Sequence, residues 1–278
     1  MAHILQVGAG SGGMPVLDMV ARDPRVDRVT LVEPDVYKPH NVERHLFPAS
    51  AVGRLKAELA AEWLRERRPD LGVEILAVDL LAADIQTELA KIAATADLGV
   101  CAADNEPAKY HFDALMRQAG KPWTLGEVLS GGIGGFVHWF APGGPCYGCV
   151  ASHLKRSVAE EAPPDKTPDY SQPGGPVKEV TVPAPKAAIA AVAGLHALIT
   201  LDLLADPAGY GPGFTSLLWT LRRVPGVFEE AFRPYRFRIP RSAECLICRP
   251  GAASTASAPS PEDLDVALDQ ALARLGDA

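Results

Sequence analysis

An apolar run breaks into glycines almost at the first residue: "ILQVGAGSGGMP", Ile4 to Pro15. Val, Leu and Ile without polar alternation read as a strand buried on both faces. Gly8, Gly10 and Gly13 then follow the GxGxxG spacing of a nucleotide-binding turn. In such a turn Gly8 permits the tight bend, Gly10 lets the backbone approach phosphate oxygens, and Gly13 lets the next helix pack close on the strand. Helix N-terminal amides face the phosphates. A second apolar strand, Val29–Val32, ends at Glu33, where an acid holds a ribose hydroxyl pair. This unit commits the chain to a parallel sheet but does not decide between NAD and ATP.

The rest of the first half repeats the alternation. "VGRLKAELAAEWLRERRPD" reads as a helix with Leu55, Leu59, Trp63 and Leu64 inward. "VEILAV" and "DLGVCAAD" read as a third and a fourth strand. "NEPAKYHFDALMRQAG" is a helix with Ala108, Phe112, Leu115, Met116 and Ala119 inward and Gly120 closing it. The expected fold is α/β: a doubly wound, mostly parallel Rossmann-like sheet with an antiparallel C-terminal extension tied by a zinc site. "SGGIGGFVHWFAPGGPCYGC" reads as strands at a sheet edge. Residues 162–185 read as a long mobile crossover, and "KAAIAAVAGLHALITLDLLA" as an apolar helix against the sheet or a subunit contact. The expected division is one domain over 1–250, crossover included, and, over 251–278, a flexible linker with a short amphipathic helix. That tail suits a docking peptide as well as a frayed end.

A net charge of −7 over 278 residues, with no basic stripe, argues against nucleic acid as a partner. The sequence offers neither a long uncharged apolar span nor a basic n-region, so a cytoplasmic protein without membrane contact is expected. Five cysteines then stand as reduced thiols. Cys146, Cys149, Cys245 and Cys248 form two CxxC pairs far apart in sequence, suited to one shared structural Zn²⁺. Cys101, inside the fourth strand, reads as plain core.

The segment after Glu33 bears on the choice of nucleotide. "LVEPDVYKPHNVERHLFPASAVGRLKAELA" groups an Asn, an Arg and a Lys just beyond the ribose acid. Arg44 can fork across phosphate oxygens, Lys56 offers a point charge and Asn41 can donate to a bridging oxygen. A triphosphate has use for that set and a dinucleotide does not.

With these motifs the chain resembles the ThiF/MoeB/HesA family, the ubiquitin-activating-enzyme-like adenylyltransferases. The match runs through "VEPDVYKPHNVERHLF", "VGRLKA", "LGVCAADNEPAKYHFDAL", "GGIGGFVHWFAPGGPCYGC" and "CLIC", in family order over about residues 3–250. The resemblance implies an ATP-dependent enzyme that adenylates the C-terminal carboxylate of a small ubiquitin-like or sulfur-carrier protein ending in Gly-Gly. It implies Glu33 at the ribose, Asn41, Arg44 and Lys56 around the phosphates, Asp35 among the nucleotide-binding residues, and Asp104 holding Mg²⁺. Arg44, Lys56 and Asp104 would carry the reaction in a homodimer.

The departures are specific. Lys109 replaces the family's Arg, Asp113 an Asn and His45 a Gln. No cysteine beyond the zinc set is placed to form a thioester, and the chain begins at its first strand, so the arginine that N-terminal helices lend in the family is expected from elsewhere, from a partner, or not at all. A non-catalytic scaffold subunit is the alternative reading, and an NAD-dependent oxidoreductase a distant one.

Overall fold

The computed structural model describes residues 1–154, 168–169, 175–176 and 182–249. The inferred linker and terminal helix after 250, and most of the 162–185 crossover, lie outside the described residues. Among the described residues ten strands occur in the order β1 (Ala2–Val7), β2 (Val26–Val32), β3 (Gly72–Leu76), β4 (Leu98–Cys101), β5 (Trp123–Val128), β6 (Gly134–Phe140), β7 (Pro168–Asp169), β8 (Gly175–Pro176), β9 (Ser216–Thr220) and β10 (Pro234–Phe237). Six α-helices accompany them: α1 (Gly13–Ala21), α2 (Lys56–Arg67), α3 (Gln86–Thr95), α4 (Glu106–Gln118), α5 (Tyr147–His153) and α6 (Lys186–Ala205).

Eight strands form one sheet in the order β10-β9-β6-β5-β4-β1-β2-β3. From β3 to β5 the pairs are parallel, and from β5 to β10 antiparallel. Helices cover both faces. Ile4, Val29 and Leu31 pack with Met14, Leu17, Leu59 and Leu203 on one side. Leu5, Val7 and Val32 pack with Leu89, Phe112, Met116 and Trp123 on the other. Successive residues of β1 and β2 thus serve opposite cores, which is why these strands carry no polar alternation.

The antiparallel half corrects one expectation. β6 is interior, between β5 and β9, not at the sheet edge. Its glycine-rich start reflects crowding: a Cβ at Gly134 would meet Trp219 O at 2.7 Å, and one at Gly135 would meet Val192 Cγ2 at 2.5 Å. Glycine there lets β9 and α6 approach. Trp123 and Phe140, directly paired across β5 and β6, stack with centroids 4.0 Å apart. Helix α6 is long and apolar enough to cross a membrane by composition, but half of its apolar window is buried inside the protein. Its buried residues, Val192, Ala193 and Ala197 among them, belong to the core.

Candidate functional site

The strand order reverses between β1 and β4, the switch point at which open α/β sheets bind ligands beyond their carboxyl ends. A cavity of about 1500 Å³ opens there. Its wall includes Gly8, Gly10, Glu33, Asp35, Arg44, Lys56 and Asp104. Segments spread over a hundred residues of sequence therefore converge on one crevice.

The glycines divide their work as their spacing implies. Gly8 has φ +91°, and a Cβ on it would lie 2.7 Å from Ala102 O at the end of β4. A Cβ on Gly13 would sit 2.3 Å from Gly8 O, so α1 packs against the turn only because that residue has no side chain. Beside Gly10 nothing lies within 4 Å, leaving its backbone open to the cavity.

A residue unmarked by motif reading holds this turn from beneath. Gln6, fully buried in β1, donates through Nε2 to Gly8 O at 2.9 Å and Gly13 O at 2.8 Å. A polar side chain inside an apolar strand was the available signal. From β2, Glu33 accepts from Ala9 N at 2.6 Å and Asp35 N at 2.9 Å. Lys56 opens α2 and donates to Asp35 Oδ2 at 2.7 Å, with Glu33 Oε1 4.0 Å away.

The side chains of Arg44 and Asp104 line the cavity without a hydrogen bond or ion pair among the described residues, the Arg44 backbone N–H donating to Asn41 O at 3.0 Å. Helix α4 is capped by Asn105, whose Oδ1 accepts from Ala108 N at 2.9 Å. The cap role open to Asp104 therefore falls to its neighbour. Asn41 does not line the cavity; its Oδ1 accepts from Lys38 N at 2.9 Å in a short 3₁₀ turn.

The second half of the wall is a polar network. Lys109, buried, donates to Glu106 Oε1 at 2.6 Å and Glu127 Oε1 at 2.7 Å. Glu106 Oε2 accepts from Tyr147 Oη at 2.8 Å, and Glu127 Oε2 from His138 Nε2 at 3.1 Å. Burial opposes the charge on Lys109, yet Glu127 and Glu106 more than offset it and its pKa is raised. Below the cavity His196 donates from Nε2 to Thr124 Oγ1 at 2.9 Å, and burial pushes its pKa down to about 3. A Cβ on Gly126 would strike its Nδ1 at 2.4 Å.

The four paired cysteines meet at the base of α5. Cys146 and Cys149 lie 3.7 Å apart, and Cys245 and Cys248 each approach one of them at 3.5 Å. All four sulfurs fall within 4.8 Å of one another, close to the roughly 3.8 Å that a tetrahedron with metal–sulfur bonds of ~2.3 Å needs. Cys101 stays apart and fully buried, its thiol pushed up to about 12 by desolvation.

Comparison with known proteins agrees with this arrangement. The ThiF family model matches residues 1–232. The chain is 29% identical over 174 residues to the SAMP-activating enzyme E1 of Haloferax volcanii, covering 62% of this chain and 59% of that one. It is 31% identical over 178 residues to the sulfur carrier protein adenylyltransferase of Thermus thermophilus, covering 62% and 61%. It thus spans about three fifths of the length of these relatives. The crystal structure of E. coli MccB with ATP superimposes with a TM-score of 0.61 at 18% identity, over 89% of this chain and 66% of that one, which shows a shared fold. With a family model matching most of its length over the same strand–turn–helix frame that builds the crevice, this chain belongs to the ThiF family.

Proposed function

We propose that the protein is an ATP-dependent adenylyltransferase that activates the C-terminal carboxylate of a small ubiquitin-like or sulfur-carrier protein ending in Gly-Gly. The observation that carries this reading is the meeting, in one crevice, of an open glycine turn with Arg44, Lys56 and Asp104. Relatives named for adenylating sulfur carriers and activating SAMP support it. The cavity of about 1500 Å³ exceeds the ~300–1000 Å³ usual for one small ligand, which suits a nucleotide together with a chain end.

In this reading a carboxylate oxygen attacks the α-phosphorus, the bond to the bridging oxygen breaks, and pyrophosphate leaves. The protein aligns the reactants and offsets charge as it moves onto the leaving group. Glu33 and Asp35 serve the ribose end, and Gly10 presents its backbone amide to the phosphates, while the Gly8 N–H is engaged by Val32 O at 3.0 Å. Arg44 forks across phosphate oxygens while Lys56, turned by nucleotide from Asp35, adds a point charge. Asn41 lies outside the cavity wall and is engaged in its own turn, so it is given no phosphate contact. Asp104 would hold a Mg²⁺, which would supply further charge neutralisation.

Cys146, Cys149, Cys245 and Cys248 hold structural Zn²⁺, joining α5 to the segment after β10, and this metal suits a cytoplasmic, reducing setting. The exposed apolar side of α6, where Leu198 is 62% exposed, supports a homodimer. Residues 1–250 form the adenylyltransferase unit and 251–278 an appended tail.

Exchange of labelled pyrophosphate into ATP, dependent on a Gly-Gly-ended carrier, tests the reading. Asp104→Ala is expected to abolish exchange while leaving the fold intact. ATP binding without exchange with any such carrier would favour a scaffold role, and tight NADH binding in place of ATP would overturn the reading.

A further inference from the structure

The Ala9 peptide, at the middle of the glycine turn, is gripped from both sides. Its N–H donates to Glu33 Oε2 at 2.6 Å, and its carbonyl meets His45 Nε2 at 2.8 Å. A carbonyl only accepts, so Nε2 carries the proton. Leu46 N donates to Nδ1 of the same ring at 3.0 Å, so Nδ1 carries a lone pair. The imidazole is therefore neutral and confined to one tautomer. It is 2% exposed and packs against Tyr37 and Phe47 at centroid distances of 5.2 and 4.5 Å. Lys186, the first residue of α6, donates to the His45 carbonyl at 3.0 Å and fixes the loop from a third element. Arg44 is the adjacent residue on that loop.

We propose that His45 is a positioning residue for the nucleotide, a neutral imidazole strut that fixes the Gly8–Gly13 turn against the Arg44 loop and loses its anchor on that loop, the Leu46 N–H bond, when protonated. The proposal deepens the nucleotide reading of the same cavity and rests on it. Protonation at Nδ1 sets one N–H against another and removes the bond from Leu46. The charged groups around the ring oppose it as well. Lys56 of α2 and Lys186 of α6 are cations, Arg44 adjoins it in the chain, and the Glu33 carboxylate is engaged on the far side of the Ala9 peptide. Burial first, and then these two lysines, hold the ring below its ordinary pKa, with the Ala9 carbonyl pulling the other way. The ring is thus anchored at both nitrogens at neutral pH, and the Leu46 anchor is lost as pH falls through that lowered value while the Ala9 bond remains.

The test is ATP affinity of the full chain, by calorimetry, from about pH 8 to about pH 5, across the range where a histidine strut titrates. His45→Phe keeps the ring packing and removes the donor; it is expected to bind ATP on the order of tenfold more weakly at neutral pH, the worth of about one hydrogen bond. His45→Gln keeps an amide donor for the Ala9 carbonyl and cannot titrate. It is expected to restore affinity and to flatten the acid fall-off of the wild type. Wild-type affinity and pH profile in His45→Phe, or an unchanged acid limb in His45→Gln, overturn the strut while leaving the nucleotide reading standing. Absence of ATP binding by the wild-type chain overturns both. Should His45→Phe fail to fold, the His45→Gln profile decides alone.

Discussion

Lys109 Nζ donates to Glu127 Oε1 at 2.7 Å across the wall of the cavity, joining the first turn of α4 to the end of β5. The ammonium is 7% exposed, and Glu106 is its second carboxylate partner. Removing one member of a buried ion pair strands the others, at a cost of about 3–5 kcal/mol. Lys109→Met is therefore expected to lower unfolding free energy on the order of 3 kcal/mol by denaturant titration. Lys109→Arg, the residue usual in the family at this position, is expected to recover most of that loss. Equal midpoints for wild type and Lys109→Met would show that the pair contributes nothing net.

Gly10 and Gly13 lie three residues apart but should respond in opposite ways to one added methyl. Gly13→Ala drives a Cβ to 2.3 Å from Gly8 O and is expected to cost at least the ~1–3 kcal/mol of ordinary overpacking. Gly10→Ala meets nothing within 4 Å, so its thermal midpoint should stay near the wild type. Its methyl stands beside the open backbone of the turn, and weaker ATP binding is expected in calorimetry. A Gly10→Ala protein with unchanged affinity would move the phosphates away from this turn.

Asp113 is fully buried in α4, and Oδ1 accepts from Tyr147 N at 3.1 Å, while Arg117 Nε donates to Oδ2 at 3.0 Å. Desolvation outweighs these partners and raises its pKa. A raised folded value means that the stability this group contributes is present below its unfolded pKa of about 3.9 and is lost as pH rises through the folded one. Asp113→Asn keeps an acceptor for Tyr147 N and has no charge to bury. It is expected to be more stable than wild type at neutral pH, with the difference shrinking as pH falls. Denaturant midpoints at neutral and acidic pH measure this, and a difference that grows on acidification contradicts the sign.

The four-sulfur cluster predicts metal-dependent stability. Elemental analysis should find zinc bound by the purified chain, and Cys149→Ser should lower both zinc content and thermal midpoint. Metal binding supplies folding free energy wherever the site forms only in the folded state. A strong chelator should produce the same downward shift, reversed by added Zn²⁺. A chain free of zinc with an unchanged midpoint would disprove a structural metal.

Local signals in the sequence determined a good deal here. Glycine spacing marked the turn because only Gly tolerates φ +91° at Gly8 and the approach at Gly13, so geometry is written directly into residue type. Unbroken apolar runs in β1 and β2 announced a sheet covered on both faces, and two CxxC pairs announced their own meeting. Arg44, Lys56 and Asp104, expected to act together, line one cavity, whereas Asn41, expected beside them, does not. Gln6, His45 and the Lys109–Glu106–Glu127–His138 network were not legible, because a polar side chain's role depends on which atoms tertiary folding brings within about 3 Å of it. The same limit hid the interior place of β6. Its glycines look like turn residues along the chain, and only the packing of Trp219 and Val192 against them shows why no side chain fits. Sequence thus determined the frame and its nucleotide turn, where one residue's conformational range settles the matter. Tertiary structure decided which polar groups hold that turn in place, since their partners lie tens of residues away.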